Sequence, residues 1–274
     1  MIRLDGDVVL VTGVGRGLGR AYARLLADRG AVVAVHDAGV DRDGSGGDPG
    51  PAQAVRHELE RGGARASVHL HNLDTRAGCD GLIEEVLAEH GRIDALVHNA
   101  GIVRYDRIAE TSVETWQRIL AINIEAAWWL CRAVWPGMRD RRYGRIVLTT
   151  SGYGLRVVPG NDVTAYSVSK AAQFGLMNAL AGEGHDHGVR VNAIAPIAAT
   201  RIFRRDVAAG QLSPESVAAG VVLLASRDCP VNGTVLAGAG GRWSLQRLSS
   251  HGEHDLGGDA TVEDVLIWAR TIPY

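Results

Sequence analysis

Short apolar, β-branched runs alternate with longer stretches of helical periodicity through most of the chain. The runs at 8–11, 31–36, 68–70, 93–98, 145–149, 190–194 and 234–237 are mostly apolar without alternation. That is the pattern of strands covered on both faces. Between them, 18–29, 53–61, 82–89, 115–138, 166–183 and 214–224 carry helical spacing. Strand followed by helix, repeated, predicts an α/β protein: one domain with a doubly wound parallel sheet of about seven strands and helices on both faces.

Two segments break this rhythm. Residues 39–51, rich in Gly, Asp and Pro, read as a surface loop inserted after the second strand. After Gly241 the chain passes another Gly/Asp-rich break and then an amphipathic helix candidate at 262–270. We therefore expect a dinucleotide-binding and catalytic domain over 1–241. The extension over 242–274 is expected to pack on that domain or on a neighbouring subunit.

Composition narrows the classes further. The chain has 274 residues, 46% hydrophobic and 22% charged, with a net charge of −2, enough for one large core. Nothing in that charge draws the molecule to nucleic acid or an anionic membrane. The first apolar run follows Asp5 and Asp7 and is too short for a signal peptide or a span. Cys79, Cys131 and Cys229 are scattered without metal-ligand spacing, as expected of buried free thiols in a reducing cytoplasm.

The first strand runs directly into Thr12-Gly13-Val14-Gly15-Arg16-Gly17-Leu18-Gly19, which opens a helix. Glycines there allow a tight turn and a close approach to a pyrophosphate, whose charge the helix N-terminus favours. No Lys-Ser/Thr pair follows, which excludes a P-loop. The second strand ends at His36-Asp37, 20 residues beyond Gly17, where a carboxylate bonds the adenosine ribose and repels a 2′-phosphate. Asp37 favours NAD over NADP. Arg16 pulls the other way, since it can meet such a phosphate.

Asn99-Ala100-Gly101 ends the fourth strand, and Tyr166-Ser167-Val168-Ser169-Lys170 begins a later helix. With the glycine loop, these motifs resemble the short-chain dehydrogenase/reductase family from about Gly6 to Gly241. The resemblance implies a single-domain Rossmann fold that assembles as a homodimer or homotetramer. It implies that Gly13, Gly17 and Gly19 shape the pyrophosphate turn, with backbone contacts from Arg16 and Leu18. Asp74 corresponds to the acidic residue that contacts adenine, Asn99 and Gly101 to the motif beside the cofactor, and Asn123 to an active-site Asn on a long helix. Pro196 and Thr200 correspond to positions flanking the nicotinamide.

Tyr166 and Lys170, four residues apart, share one helix face. A tyrosine titrates near ~10 and is a poor base at neutral pH. A neighbouring ammonium and a positive nicotinamide are expected to lower that value and let Tyr166 move the substrate proton. Lys170 would also hold the nicotinamide ribose. A third group should be a hydroxyl bonding the substrate oxygen. Ser151 is the candidate and Thr150 the fallback. Ser151 stands 15 residues before Tyr166, two further than in the family, and strict counting selects Tyr153. We expect a two-residue insertion within 160–163.

The pairs His69/His71 and His185/His187 lack a third ligand nearby in the motif map and are read as surface or turn histidines, with no metal site expected. Trp128 and Trp129 are expected in the core or at a subunit interface.

The insertion at 39–51, the stretch Ala133-Val134-Trp135-Pro136-Gly137-Met138 and the closing run from Gly238 to Trp243 resemble the (3R)-hydroxyacyl-CoA dehydrogenase domain of peroxisomal multifunctional enzymes. A 3-hydroxyacyl thioester, with a bulky or steroid-derived acyl group admitted, follows from that resemblance. Arg201, Arg204 and Arg205 are read either as partners of CoA phosphates or as a solvated basic turn. The sequence thus points to NAD(H)-dependent interconversion of a secondary alcohol and a ketone. Against it stand an NADP(H)-linked carbonyl or ketoacyl reductase, which Asp37 disfavours, and a non-catalytic NAD-binding sensor, which has no need of the Tyr/Lys pair.

Overall fold

The computed structural model describes residues 1–40, 46–160, 162–199, 211–247 and 254–271. Thr200, Arg201, Arg204 and Arg205 lie outside them. Among the described residues the sheet has eight strands: β1 (Val8–Thr12), β2 (Val32–His36), β3 (Ala66–His69), β4 (Ala95–His98), β5 (Gly144–Thr149), β6 (Val189–Ile197), β7 (Val235–Ala239) and β8 (Arg242–Gln246). They lie in the order β3-β2-β1-β4-β5-β6-β7-β8. The first seven are parallel, and β8 runs antiparallel to β7.

The continuous apolar strands are explained by two cores, one on each face. Val8 and Leu10 of β1 pack into one, with α3 (Arg76–His90), α5 (Ala126–Asp140) and α6 (Thr164–Gly184). Val9 and Val11 pack into the other, with α1 (Gly17–Asp28), α2 (Gly50–Arg61) and α7 (Glu215–Ala225). Alternation is thus present in geometry but silent in polarity. Each fully buried Val or Leu of this kind contributes roughly 1.5–3 kcal/mol by leaving water.

Three expectations change. The helix expected over 115–138 is three pieces: α4 (Val113–Leu120), a π-helical turn (Ala121–Glu125) and α5. Apolar periodicity runs through the π turn and hides it. The eighth strand was not foreseen; it follows the Gly240-Gly241 turn, where φ is +51° and +83°. Trp243 on β8 lies against Gly238 and Gly220, where a Cβ would stand 2.6 Å from its ring, so only glycine admits that tryptophan.

His69 is the third: it is buried at the end of β3 rather than on the surface. His185 is exposed, as expected. Trp128 is 51% exposed, whereas Trp129 packs against the core with the Arg76 guanidinium 5.0 Å from its ring. Cys79, Cys131 and Cys229 are free and buried. The last helix, α8 (Val262–Ala269), is opened by a Thr261/Asp264 capping box and is exposed along nearly its whole length. Among the described residues no helix is long and apolar enough to cross a membrane.

Candidate active site

The strand order reverses between β1 and β4, and that switch point opens a crevice at the carboxyl ends of the strands. A cleft of about 650 Å³ occupies it. One end is walled by the β1–α1 turn, Asp37, Asn72 and Leu73, and the other by Ser151, Tyr153, Tyr166 and Lys170.

The glycine turn is dictated by backbone geometry. Gly13 and Gly17 have φ of +71° and +54°, where a side chain is strained. Gly19 has ordinary φ, but a Cβ there would stand 2.0 Å from the Gly13 carbonyl oxygen, so it permits α1 to close on the turn. The α1 N-cap, Arg16, makes no side-chain cap and no acid lies in the first turn. The first amide groups of α1 therefore have no side-chain partner, which suits them to an anion. Arg16, Gly17 and Leu18 line the cleft beside them.

Asp37 is clamped from both sides. Its Oδ2 accepts from the Gly15 amide at 2.7 Å and its Oδ1 from the Gly39 amide at 2.8 Å. These bonds aim the carboxylate into the cleft mouth, where it is part of the lining. Asn72 and Leu73 line the cleft beyond it, and Asp74 is not among the lining side chains.

The central strands are stapled below the turn. Asn99 donates from Nδ2 to the carbonyls of Thr12 (3.2 Å) and Gly13 (3.0 Å). The Thr12 hydroxyl oxygen accepts from the amides of Asn99 and Ala100. Its proton is therefore free for His98 Nδ1, 3.1 Å away. Burial holds His98 neutral, its pKa pushed down to about 3.

Asn123 sits in the π turn, fully buried, one layer behind the cleft. Its side chain accepts from the Ile102 amide (2.8 Å) and donates to the Ile102 carbonyl (2.9 Å) and the Ser169 hydroxyl (3.0 Å). Its own carbonyl accepts from Gln173 Nε2 at 2.6 Å. Asn123 thereby ties the π turn to α6, and it leaves room for Gly101, where a Cβ would meet its Oδ1 at 3.1 Å. Gln173 has no counterpart in the motif reading, because a buried Gln on a helix carries no spacing signal.

Ser151 and Thr150 are adjacent but differently engaged. The Thr150 hydroxyl is buried and donates to the Lys170 carbonyl at 2.7 Å. Ser151 caps the 3₁₀ turn Gly152–Gly154, accepting from the Tyr153 amide at 3.3 Å, and its side chain acts on the Tyr166 phenol from across the cleft lining. Tyr153, which strict counting selects, lies edge-on to the Tyr166 ring with centroids 6.4 Å apart.

Tyr166 and Lys170 do share one face of α6. Lys170 Nζ donates to the Thr149 carbonyl at 2.7 Å and sits 5.6 Å from the Tyr166 ring centroid. The expected lowering of the Tyr166 pKa is not what the protein's own groups produce. Burial pushes the phenol up to about 12, with the Ser151 hydrogen bond opposing. Burial also pulls the Lys170 ammonium down to about 7. Desolvation wins here because Lys170 faces the ring and Thr149 rather than the phenol oxygen. Pro196, at the end of β6, lines the cleft with Ile197 and Ala198.

The sequence profile of the short chain dehydrogenases matches residues 7–208. The chain belongs to the short-chain dehydrogenase family. This short-chain dehydrogenase is 37% identical over 271 residues to a protein of Mycobacterium tuberculosis described as a short-chain type dehydrogenase/reductase, covering 96% of this chain and 93% of that one. A crystal structure of a short chain dehydrogenase from Mycobacterium avium matches with a TM-score of 0.84 at 35% identity, covering 97% and 94% of the two chains. The mouse peroxisomal multifunctional enzyme type 2 is 39% identical over 245 residues, which are 87% of this chain but 32% of that protein. Family membership makes the protein an oxidoreductase of CH–OH groups that takes a nicotinamide cofactor.

Proposed function

We propose that this short-chain dehydrogenase is NAD(H)-dependent and interconverts a secondary alcohol and a ketone, with Tyr166 as acid/base. The observation that carries the reading is Tyr166 lining the cleft together with Ser151 and backed by Lys170 on the same helix face.

The residues present fit a dinucleotide. Gly13, Gly17 and Gly19 form the turn, the uncapped start of α1 with Arg16 and Leu18 meets the pyrophosphate, and Asp37 takes the ribose hydroxyls. Asp74, adjacent to the cleft-lining Asn72 and Leu73 but not itself in the lining, is taken toward adenine only by the family resemblance, as is Thr200 toward the nicotinamide. Asn99 and Gly101 hold the floor, and Pro196 flanks the nicotinamide. When bound, the nicotinamide exchanges hydride with the substrate carbon, and its positive form favours the Tyr166 phenolate.

In alcohol oxidation Ser151 donates to the substrate oxygen, and Tyr166 takes the hydroxyl proton. The assignment of Ser151 over Thr150 rests on the Thr150 hydroxyl donating to Lys170. Lys170, its pKa brought to about 7, releases a proton near neutrality from Nζ and binds the nicotinamide ribose. Asn123 is a positioning residue, acting through Ile102 and Ser169. We take 1–241 as the catalytic body, 242–274 as an extension anchored by β8, and the assembly as a homo-oligomer.

For the substrate we infer a 3-hydroxyacyl-CoA. Support comes from the resemblance around 39–51 and from relatives named peroxisomal multifunctional enzyme type 2 in mouse and fly. A second reading, an NADP(H)-linked ketoacyl reductase, is favoured by Arg16 in the cleft lining and by 32% identity to the 3-oxoacyl-[acyl-carrier-protein] reductase of Escherichia coli. Spectrophotometry with NAD⁺ or NADP⁺ against 3-hydroxyacyl-CoA, steroid and simple secondary alcohols separates them. We expect the highest kcat/KM with NAD⁺ and the acyl-CoA; preference for NADP⁺ supports the second reading and overturns the first.

A further inference from the structure

Away from the cleft, the edge strand β3 and the last turn of α3 bring together side chains that the cofactor chemistry does not use. His69 and His90 point their Nε2 atoms at one hydroxyl, that of Ser67, each at 2.8 Å. Glu89 completes the group, its Oε2 lying 3.9 Å from His69 Nε2 and its Oε1 3.8 Å from His90 Nε2. One ligand atom from each of His69, Glu89 and His90 fits within 4.8 Å of the others. We propose that His69, His90 and Glu89 form a binding site for a divalent transition metal ion of the zinc type, clipping β3 to the end of α3.

Ligand chemistry and spacing both support this. Two imidazoles and one carboxylate are a donor set suited to zinc and its neighbours. With bonds of about 2.0–2.1 Å, tetrahedral ligands stand roughly 3.3 Å apart. The three ligand atoms, now within 4.8 Å of one another, must therefore draw in to that spacing, Glu89 by swinging its half-exposed side chain and His90 by turning its ring. The fourth position falls to water or to the Ser67 hydroxyl, which gives up both of its Nε2 contacts when the two imidazoles bind the ion.

The surroundings are arranged as metal-binding histidines require. His69 is fully buried, and its other nitrogen, Nδ1, lies 3.2 Å from Glu85 Oε2. Nδ1 has no hydrogen-bond partner as placed, and a small swing of the half-exposed Glu85 side chain would seat the carboxylate behind the ring, fixing the proton on Nδ1 and the lone pair on Nε2. Glu85 is itself held by His71 Nε2 at 2.7 Å. His90 is nearly buried, while Glu89 and Glu85 are half exposed, so the ion enters from the solvent side. The two imidazoles do not need an ion to be satisfied, because the Ser67 hydroxyl bridges them. The proposal rests on the carboxylate that faces both nitrogens and on the unpartnered Nδ1 of the fully buried His69, with Glu85 3.2 Å away.

The test is calorimetric titration of chelator-treated full-length protein with ZnCl₂, together with CoCl₂ and its visible bands. Four proteins are compared: wild type, His90→Gln, Glu85→Gln and the double variant His185→Gln/His187→Gln. Equal melting temperatures in chelator establish that each is folded, and Glu89→Gln replaces His90→Gln if the latter is not. We expect one zinc per chain in wild type, affinity lower by at least roughly 100-fold in His90→Gln and by about 10-fold in Glu85→Gln. Binding should be unchanged in the double variant, and four-coordinate cobalt bands should be absent in His90→Gln. No stoichiometric binding, binding unaffected by His90→Gln, or binding lost in the double variant would overturn the proposal.

Discussion

Lys170 holds its ammonium 5.6 Å from the centre of the Tyr166 ring and donates to the Thr149 carbonyl at 2.7 Å. In that buried place its pKa falls from 10.5 to about 7. Between those values an unfolded chain binds a proton that the folded chain does not. Lys170 therefore destabilises the fold most below pH 7, and the penalty vanishes above about pH 10.5. At about 1.36 kcal/mol per pKa unit its upper bound is roughly 5 kcal/mol, against about 1–3 kcal/mol for the lost hydrogen bond. Lys170→Met should be inactive yet more stable by roughly 1–3 kcal/mol at pH 7, with the gain gone at pH 10.5. Urea unfolding at the two pH values checks this; a variant weaker at both contradicts it.

Asp37 is bonded to the amides of Gly15 and Gly39, so its replacement has two effects. Asp37→Asn keeps an acceptor for one amide and removes the charge. The ratio of kcat/KM for NAD⁺ over NADP⁺ should fall by about 10–100-fold, worth roughly 1–3 kcal/mol. An unchanged ratio removes Asp37 from cofactor selection.

Gly19→Ala tests the turn independently of chemistry. Its Cβ would meet the Gly13 carbonyl oxygen at 2.0 Å, so α1 must move away from the turn. We expect a loss of about 1–3 kcal/mol in stability and NADH binding weakened at least about tenfold, read by fluorescence titration. Wild-type affinity in this variant shows that the turn is not the pyrophosphate site.

Ser151→Ala and Thr150→Val distinguish the two hydroxyls. Ser151→Ala should lower kcat by about 10²–10³-fold with little change in melting temperature. Thr150→Val, losing a buried hydrogen bond to the Lys170 carbonyl, should cost about 1 kcal/mol and keep activity within tenfold. The reverse pattern assigns the catalytic hydroxyl to Thr150.

Much of this site was legible because its signals are local. The glycines after β1, Asp37 at the end of β2 and the Tyr166/Lys170 spacing each lie within one turn or one strand end. What was not legible depends on contacts between distant segments. The π turn at Ala121–Glu125 continues the apolar periodicity of its flanking helices, so no residue pattern marks it. β8 is short and follows a glycine pair, and its place becomes clear only when Trp243 meets Gly220 and Gly238. His69 looked like half of a His69/His71 pair. Its partners, Glu89 and His90, stand a whole helix away and are brought in by the register of α3 on β3. The protein's own groups raise the Tyr166 pKa where the sequence expectation counted on the ammonium as well as a bound nicotinamide: spacing reports which face Lys170 occupies, not where its ammonium points.

The role of Tyr166 is tested most directly by Tyr166→Phe, with turnover and NADH affinity measured on the same preparation. The ring still packs against Tyr153, while the proton carrier is gone. We expect kcat to fall by about 10³-fold or more while the NADH dissociation constant stays within about threefold. Turnover retained within tenfold of wild type would contradict the assignment of Tyr166 as acid/base.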